Sequence, residues 1–196
     1  MNLPQTGGSE WRELEPIPGR PRMLSVAGVL GPALYILGGV DLVRNGEQAW
    51  RREYLNEVWR YSPAEGWVRR ANLPRPTGAA PSPAGVGDGR LYLFGGDDGM
   101  LASQAMELKD RHPGFSRSIV VYNPATDRWT EGGCLPLNPG PQPDTKPEAG
   151  VWPPVTTSLV TWKDRWVIPS GEVRPGVRTR NVISFTIPVS LSEKTP

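Results

Sequence analysis

Two stretches of this 196-residue chain are copies of one pattern, and an internal repeat limits the fold more than any single motif can. The first copy runs ALYILGG (33–39), EVWRYSP (57–63) and GWVRRANLP (66–74); the second runs RLYLFGG (90–96), SIVVYNP (118–124) and DRWTEGGCLP (127–136). A looser third copy reads DRWVIPSG (164–171) and NVISFTI (181–187). Small and β-branched residues precede each copy, at Met23 to Val29, Ala79 to Val86 and Val155 to Trp162, and are read as inner strands. Glycine and proline, 23 of each, punctuate apolar runs instead of forming tracts, which predicts many short strands. The paired glycines after the second strand let backbones approach closely. Tyr61 with Trp67, and Tyr122 with Trp129, are expected to fill the space between neighbouring units.

A strand, Gly-Gly, a strand ending in Tyr-x-Pro and then a strand carrying Trp resembles the four-stranded blade of the kelch repeat, over almost the whole chain. The resemblance implies an all-β, kelch-type β-propeller with three four-stranded blades, at 20–76, 77–136 and 137–187, before a tail at 188–196. The third copy lacks the Trp-bearing strand. SEWRELEPIPG (9–19) has the form of GWVRRANLP and is expected to be the outer strand that closes a last blade. Propellers typically have about four to eight blades, so an arc of three leaves two apolar blade faces open. The expected remedy is a homodimer that closes a six-bladed ring about a two-fold axis, each N-terminal strand completing the other chain's third blade. An excised half of a longer propeller is the alternative, and Met1 with the strand inventory favours the two-chain ring.

Composition excludes several functions. Lys and Arg total 22 against 20 Asp and Glu, spread without a basic block, so nothing argues for nucleic acid or a membrane surface as partner. No run approaches the roughly 20 apolar residues of a membrane span. The opening MNLPQTGGSEWRE has no signal-peptide pattern, which makes the cytoplasm the default compartment. Cys134 is the single cysteine and His112 the single histidine, too few for an internal disulfide or a zinc or copper cage of nitrogen and sulfur ligands. No cofactor is expected, and chemistry falls to carboxylates, arginines and hydroxyls.

The predicted loops are unequal. Long ones, at 40–56, 97–117, 137–154 and 172–180, gather on one face of a blade arc, while tight turns occupy the other, so the long-loop face is the expected site. Within it, SGEVRPGVRT (170–179) sets Glu172, Arg174 and Arg178 around a Pro175-Gly176 turn, which folds the segment back so that Glu172 faces Arg178. A carboxylate beside a guanidinium offers a proton-transfer group and an anion holder together; an exposed loop ion pair is the plainer reading.

That segment resembles the Gly-Glu-x-Lys/Arg-Pro-Gly-x-Arg-Thr loop of the N-acetylneuraminate (sialic acid) mutarotases, as do GGDDG (95–99), HPGFSRS (112–118) and WPPVTTS (152–158). The resemblance implies a cofactor-independent isomerase acting on an acidic sugar. Glu172 and Arg178 would be catalytic, and Arg174, Asp97, Asp98, His112, Ser116 and Arg117 would bind substrate. For Asp97 and Asp98 the competing expectation is turn residues that cap their own backbone, and for His112 a loop or stacking residue. The rival function is a non-catalytic propeller module that binds a glycan or protein partner through the same face. Members of that family carry six blades in one chain, and this chain has half that length.

Overall fold

The computed structural model describes residues 12–46, 49–135 and 151–188, and apart from helical turns at 102–111 its regular structure is antiparallel sheet. Three sheets follow one another along the chain. The first contains β1 (Val26–Leu30), β2 (Ala33–Asn45), β3 (Ala49–Ser62) and β4 (Gly66–Arg70), paired in that order. The second repeats it with β5 (Gly85–Gly87), β6 (Arg90–Phe94), β7 (Ser118–Asn123) and β8 (Arg128–Cys134). The third has three strands, β9 (Val160–Trp162), β10 (Arg165–Arg174) and β11 (Val177–Thr186), without a fourth among the described residues.

The core lies between sheets. Val26, Tyr35, Leu37 and Val58 of the first pack with Leu91, Leu93, Val120 and Tyr122 of the second. Phe94, Ile119 and Leu135 of the second pack with Leu159, Trp166 and Ile168 of the third. Full burial of each large side chain contributes about 1.5–3 kcal/mol, so each junction is a sizeable source of stability. The aromatic pairs Tyr61–Trp67 and Tyr122–Trp129, at 5.1 and 5.0 Å between centroids, lie within a sheet, in register across its last two strands. Tyr122, edge-on to Tyr35 at 5.8 Å, and Trp129 also pack into the junction with the first sheet, and the Trp129 indole N–H donates to the Ala71 carbonyl at 2.9 Å. Trp67 donates in the same way to the Glu15 carbonyl at 2.8 Å. Glu15 therefore stands to the first blade as Ala71 does to the second. Residues 12–19, the described part of the expected outer strand, pair with no described strand, and 9–11 lie outside the described residues.

The inner strands are shorter than the sequence predicts. Leu24, Ala79 and Thr156 adopt left-handed φ of 57°, 57° and 54°, which ends extended backbone just before β1, β5 and β9. These three form the hub. Ala79 N–H donates to Leu24 O at 2.8 Å and Thr156 N–H donates to Ala79 O at 2.7 Å, one backbone bond from blade to blade. The glycine pairs sit against the hub. A Cβ on Gly38 (φ 56°) would lie 2.2 Å from Thr77 O, and one on Gly39 (φ 112°) 2.4 Å from Ser25 Oγ, so only glycine fits. In the third blade Ser170 takes the left-handed place of the first glycine (φ 58°), and its hydroxyl donates to Thr179 O at 2.5 Å.

Two of the predicted long loops are strands instead. Residues 40–56 continue β2 and β3 as a projecting hairpin paired from Val40↔Tyr54 to Asn45↔Ala49, and 172–180 belong to the β10–β11 hairpin. The apolar and charged residues there pair their backbones across the hairpin, a pattern loop-length reasoning passes over. The segment 97–117 is a loop with its helical turns, and 136–150 lie outside the described residues.

Candidate functional site

Immediately after each glycine pair the chain makes a two-bond bridge to the residue before the left-handed hub position: Met23 with Val40, Gly78 with Asp97, Val155 with Glu172. Val40, Asp97 and Glu172 thus occupy one position in three blades, and in two of them it carries a carboxylate beside the hub.

Glu172 is in register with Arg178 on the facing strand, and a bulge separates Glu172 from Arg174. Its Oε2 lies 3.6 Å from Arg178 Nη2, an ion pair beyond hydrogen-bond length, while Oε1 accepts the Gly176 N–H at 3.0 Å. The Pro175-Gly176 turn therefore fixes one oxygen of the carboxylate and leaves the other to the guanidinium. The Glu172 side chain is 21% exposed and that of Arg178 is 61% exposed. An ion pair this open adds at most about 1 kcal/mol to stability. Arg174 is different. It is buried, with its guanidinium over the Trp152 ring at 5.3 Å, whereas Arg178 is open to solvent.

The other five sequence-predicted residues, Asp97, Asp98, His112, Ser116 and Arg117, all line one cavity of about 410 Å³ on the second blade, with Phe115 among its walls. Glu172 and Arg178 do not line it. Asp97 Oδ2 accepts the Tyr54 hydroxyl at 2.6 Å and Oδ1 accepts the Gly99 N–H at 2.9 Å; Asp98 Oδ1 accepts the Met100 N–H at 3.0 Å. Both aspartates cap the turn they start. Burial first, then the Asp97 carboxylate, push the Tyr54 hydroxyl up to about 12, which keeps it a neutral donor. Ser116 Oγ shares a hydrogen with Ser118 Oγ at 3.2 Å, and the Arg117 carbonyl accepts the Leu135 N–H. His112 is 4% exposed, its Nδ1 accepts the Gly114 N–H at 3.1 Å, and its ring packs on Phe115. Burial pushes its pKa down, against the pull of Asp97 and with the push of Arg174. His112 therefore senses a charged group from both sets of residues. Arg75, outside the cavity lining, donates to Gly95 O at 2.7 Å, two residues before Asp97, and burial lowers its pKa against the opposing fields of Asp98 and Asp97.

Sequence reasoning passed over Tyr54, Arg75 and Trp152. Tyr54 lay in a stretch read as loop; its alternation with Leu55 in β3 is the signal that would have found it.

Among the described residues no group of three His, Cys, Asp or Glu is placed to hold a metal, and no helix is long and apolar enough to cross a membrane.

Residues 79–136 match the kelch motif. The chain is similar to the N-acetylneuraminate epimerase of Haemophilus influenzae (strain PittEE), at 22% identity over 87% of this chain and 46% of the relative. It is similar also to those of Yersinia enterocolitica, at 24%, and Yersinia pestis (strain Pestoides F), at 25%, each over 89% of this chain and 46% of the relative. The solved structure of YjhT superposes with a TM-score of 0.67 at 19% identity, covering 91% of this chain and 53% of that one. The chain spans about half the length of the curated relatives it matches. The chain carries a kelch motif in its second sheet, is built of antiparallel sheets over its described residues, and resembles the N-acetylneuraminate epimerases over about half their length.

Proposed function

We infer that this chain is a sialic acid mutarotase-like protein that interconverts the anomers of an acidic sugar without a cofactor. The carrying observation is the Glu172–Arg178 pair, set 3.6 Å apart across a hairpin beside the hub, in a chain whose relatives are named N-acetylneuraminate epimerases. Glu172 takes the proton of the anomeric hydroxyl as the bond from the anomeric carbon to the ring oxygen breaks. The proton is returned to the ring oxygen, giving the open keto form. Rotation and the reverse transfer close the ring on the other face. Arg178 holds the sugar carboxylate during both steps, which supplies orientation as well as charge. Arg174, stacked on Trp152, anchors the hairpin, and the cavity lined by Asp97, Asp98, His112, Ser116 and Arg117 receives the remainder of the sugar.

The assembly in this reading is a six-bladed ring of two copies. Residues 9–19 form the fourth strand of the other copy's third blade, the blades span 20–76, 77–136 and 137–187, and 188–196 form a tail. Two observations support it: the third sheet has three strands among the described residues, and the Trp67–Glu15 bond gives residues 12–19 the place of a preceding blade's last strand.

Proton NMR of freshly released α-N-acetylneuraminate tests the chemistry. Conversion to the β anomer is accelerated by the wild-type chain and returns to the uncatalysed rate with Glu172→Gln, while Arg178→Ala raises KM. Ligand line broadening without acceleration would make the chain a sugar-binding module and end the enzymatic reading.

A further inference from the structure

His112 lines the second-blade cavity, which at about 410 Å³ falls within the roughly 300–1,000 Å³ of small-molecule sites. The residue is 4% exposed, and its Nδ1 accepts the Gly114 N–H at 3.1 Å. A ring nitrogen that accepts carries no proton, so in the neutral ring the proton sits on Nε2. Nε2 has no hydrogen-bond partner among the described residues, yet it keeps accessible surface. A donor held this deep without a partner is destabilising, and a ligand that brings it an acceptor removes the penalty.

The surroundings of that donor are held in advance. Val40 is in register with Tyr54 and Glu172 with Arg178, so Tyr54 stands in the first blade where Arg178 stands in the third. Tyr54 serves the next blade. Its ring lies so close over Gly99 that a Cβ there would be 2.2 Å from Cδ2, and its hydroxyl donates to Asp97 Oδ2. With the Gly99 N–H on Oδ1, both Asp97 oxygens are engaged, whereas Asp98 engages only Oδ1, on the Met100 N–H, and keeps Oδ2 to accept. Leu101, Pro113 and Phe115 make part of the lining apolar, and the Phe115 ring lies 5.6 Å from that of His112. The lining also touches the strand that carries Glu172: a Cβ on Gly114 would be 3.3 Å from Val173 O.

We propose that this cavity is the subsite for an acylamino group, with His112 Nε2–H donating to the amide carbonyl, Asp98 Oδ2 accepting the amide N–H, and the acyl cap lying against Phe115 and Leu101. The proposal deepens the sugar reading and rests on it for the remainder of the ligand. Other substituents match the lining less well. A hydroxyl can meet His112 but leaves the apolar wall in water. A carboxylate enters a lining whose formal charge is negative, with Asp97 and Asp98 against Arg117. His112 in this role selects the ligand and moves no proton.

His112 is the only histidine, so the ring nitrogens of a ¹⁵N-labelled chain give one unambiguous set of imidazole signals. Near neutral pH the free chain is expected to show the Nε2–H tautomer. N-acetylneuraminate is expected to shift Nε2 saturably, and its analogue with a hydroxyl in place of the acetamido group to bind more weakly by about tenfold or more. His112→Leu should remove that preference, and His112→Gln, whose amide N–H can still donate, should keep part of it, both with an unchanged circular dichroism spectrum. Binding without a shift at Nε2, equal affinities for the two sugars, or a preference that survives His112→Leu overturns the subsite, and so does the failure of both sugars to bind. Mutarotation is scored separately. Preference without mutarotation leaves the subsite and ends the isomerase reading; mutarotation without preference does the reverse.

Discussion

The closed junctions between blades and the open ends of the arc are built from the same positions, yet the residues there face opposite surroundings. Ile119 in β7 and Val182 in β11 are equivalent, each paired with the residue before the glycine-pair position, and their exposures are 9% and 64%. Gly28 and Gly85 are equivalent to Val160. A Cβ on Gly28 would touch Leu91 at 3.2 Å, and one on Gly85 would lie 2.9 Å from Trp166, whereas Val160 has a full side chain and is 47% exposed. Where a large residue of the next blade presses in, the chain uses glycine; at its free end it uses valine.

The largest effect should come from the closed side. Trp166→Ala is expected to cost about 3–5 kcal/mol, because the ring is 2% exposed and packs on Tyr92 and Phe94. Trp162→Ala, at a ring 60% exposed under Lys163, should change the urea midpoint little. Ile119→Ala comes next, with a loss of about 2–4 kcal/mol. Its equivalent Val182→Ala sharpens the contrast, since it should be neutral in a dilute monomer and destabilising only where the open face is covered. Equal losses for Ile119→Ala and Val182→Ala at every protein concentration would mean that the two faces do not differ.

Gly38→Ala tests the hub at a somewhat smaller magnitude. Left-handed backbone with a Cβ costs about 1–2 kcal/mol by itself, and the contact 2.2 Å from Thr77 O adds to it. Gly46→Ala, left-handed too but with nothing within 4 Å, should show only the first part. A matching loss at both positions would show that the close approach at the hub carries no energy.

The repeat made the sheets legible, because Gly-Gly, Tyr-x-Pro and Trp recur at matched spacing, and the third sheet, where no Trp follows, has three strands among the described residues. The equivalence of Glu172 with Asp97 was also within reach, since each follows the second residue of the glycine-pair position. That of Arg178 with Tyr54 was not: the two hairpins differ in length, so only the backbone register aligns them. Nor did Leu24, Ala79 and Thr156 announce their left-handed backbone, as none is a residue type that adopts it readily. Burial of Arg174 is a tertiary fact, fixed by Trp152 lying beneath it.

The smallest expected effect concerns the link between the two sets of site residues. His112 is buried and its pKa is held below the ordinary histidine value, by burial first and also by Arg174, against Asp97. The unfolded chain therefore binds a proton at higher pH than the folded one, so stability is full above about pH 6.5 and falls as pH drops toward the folded-state value. The window is clean, because His112 is the only histidine and the carboxyls with resolved shifts, Glu53, Glu57, Glu65 and Asp127, are all lowered and titrate further down. Urea unfolding at pH 7.5 and pH 5.5 should show the wild type losing stability on acidification, and His112→Gln losing less. The same loss in both would place the titration elsewhere. Protonated His112 would also repel Arg174 while drawing on Asp97, so a pH-dependent change at the Trp152 indole, read by fluorescence and abolished in His112→Gln, would show that the second-blade cavity and the Glu172 hairpin respond to one group.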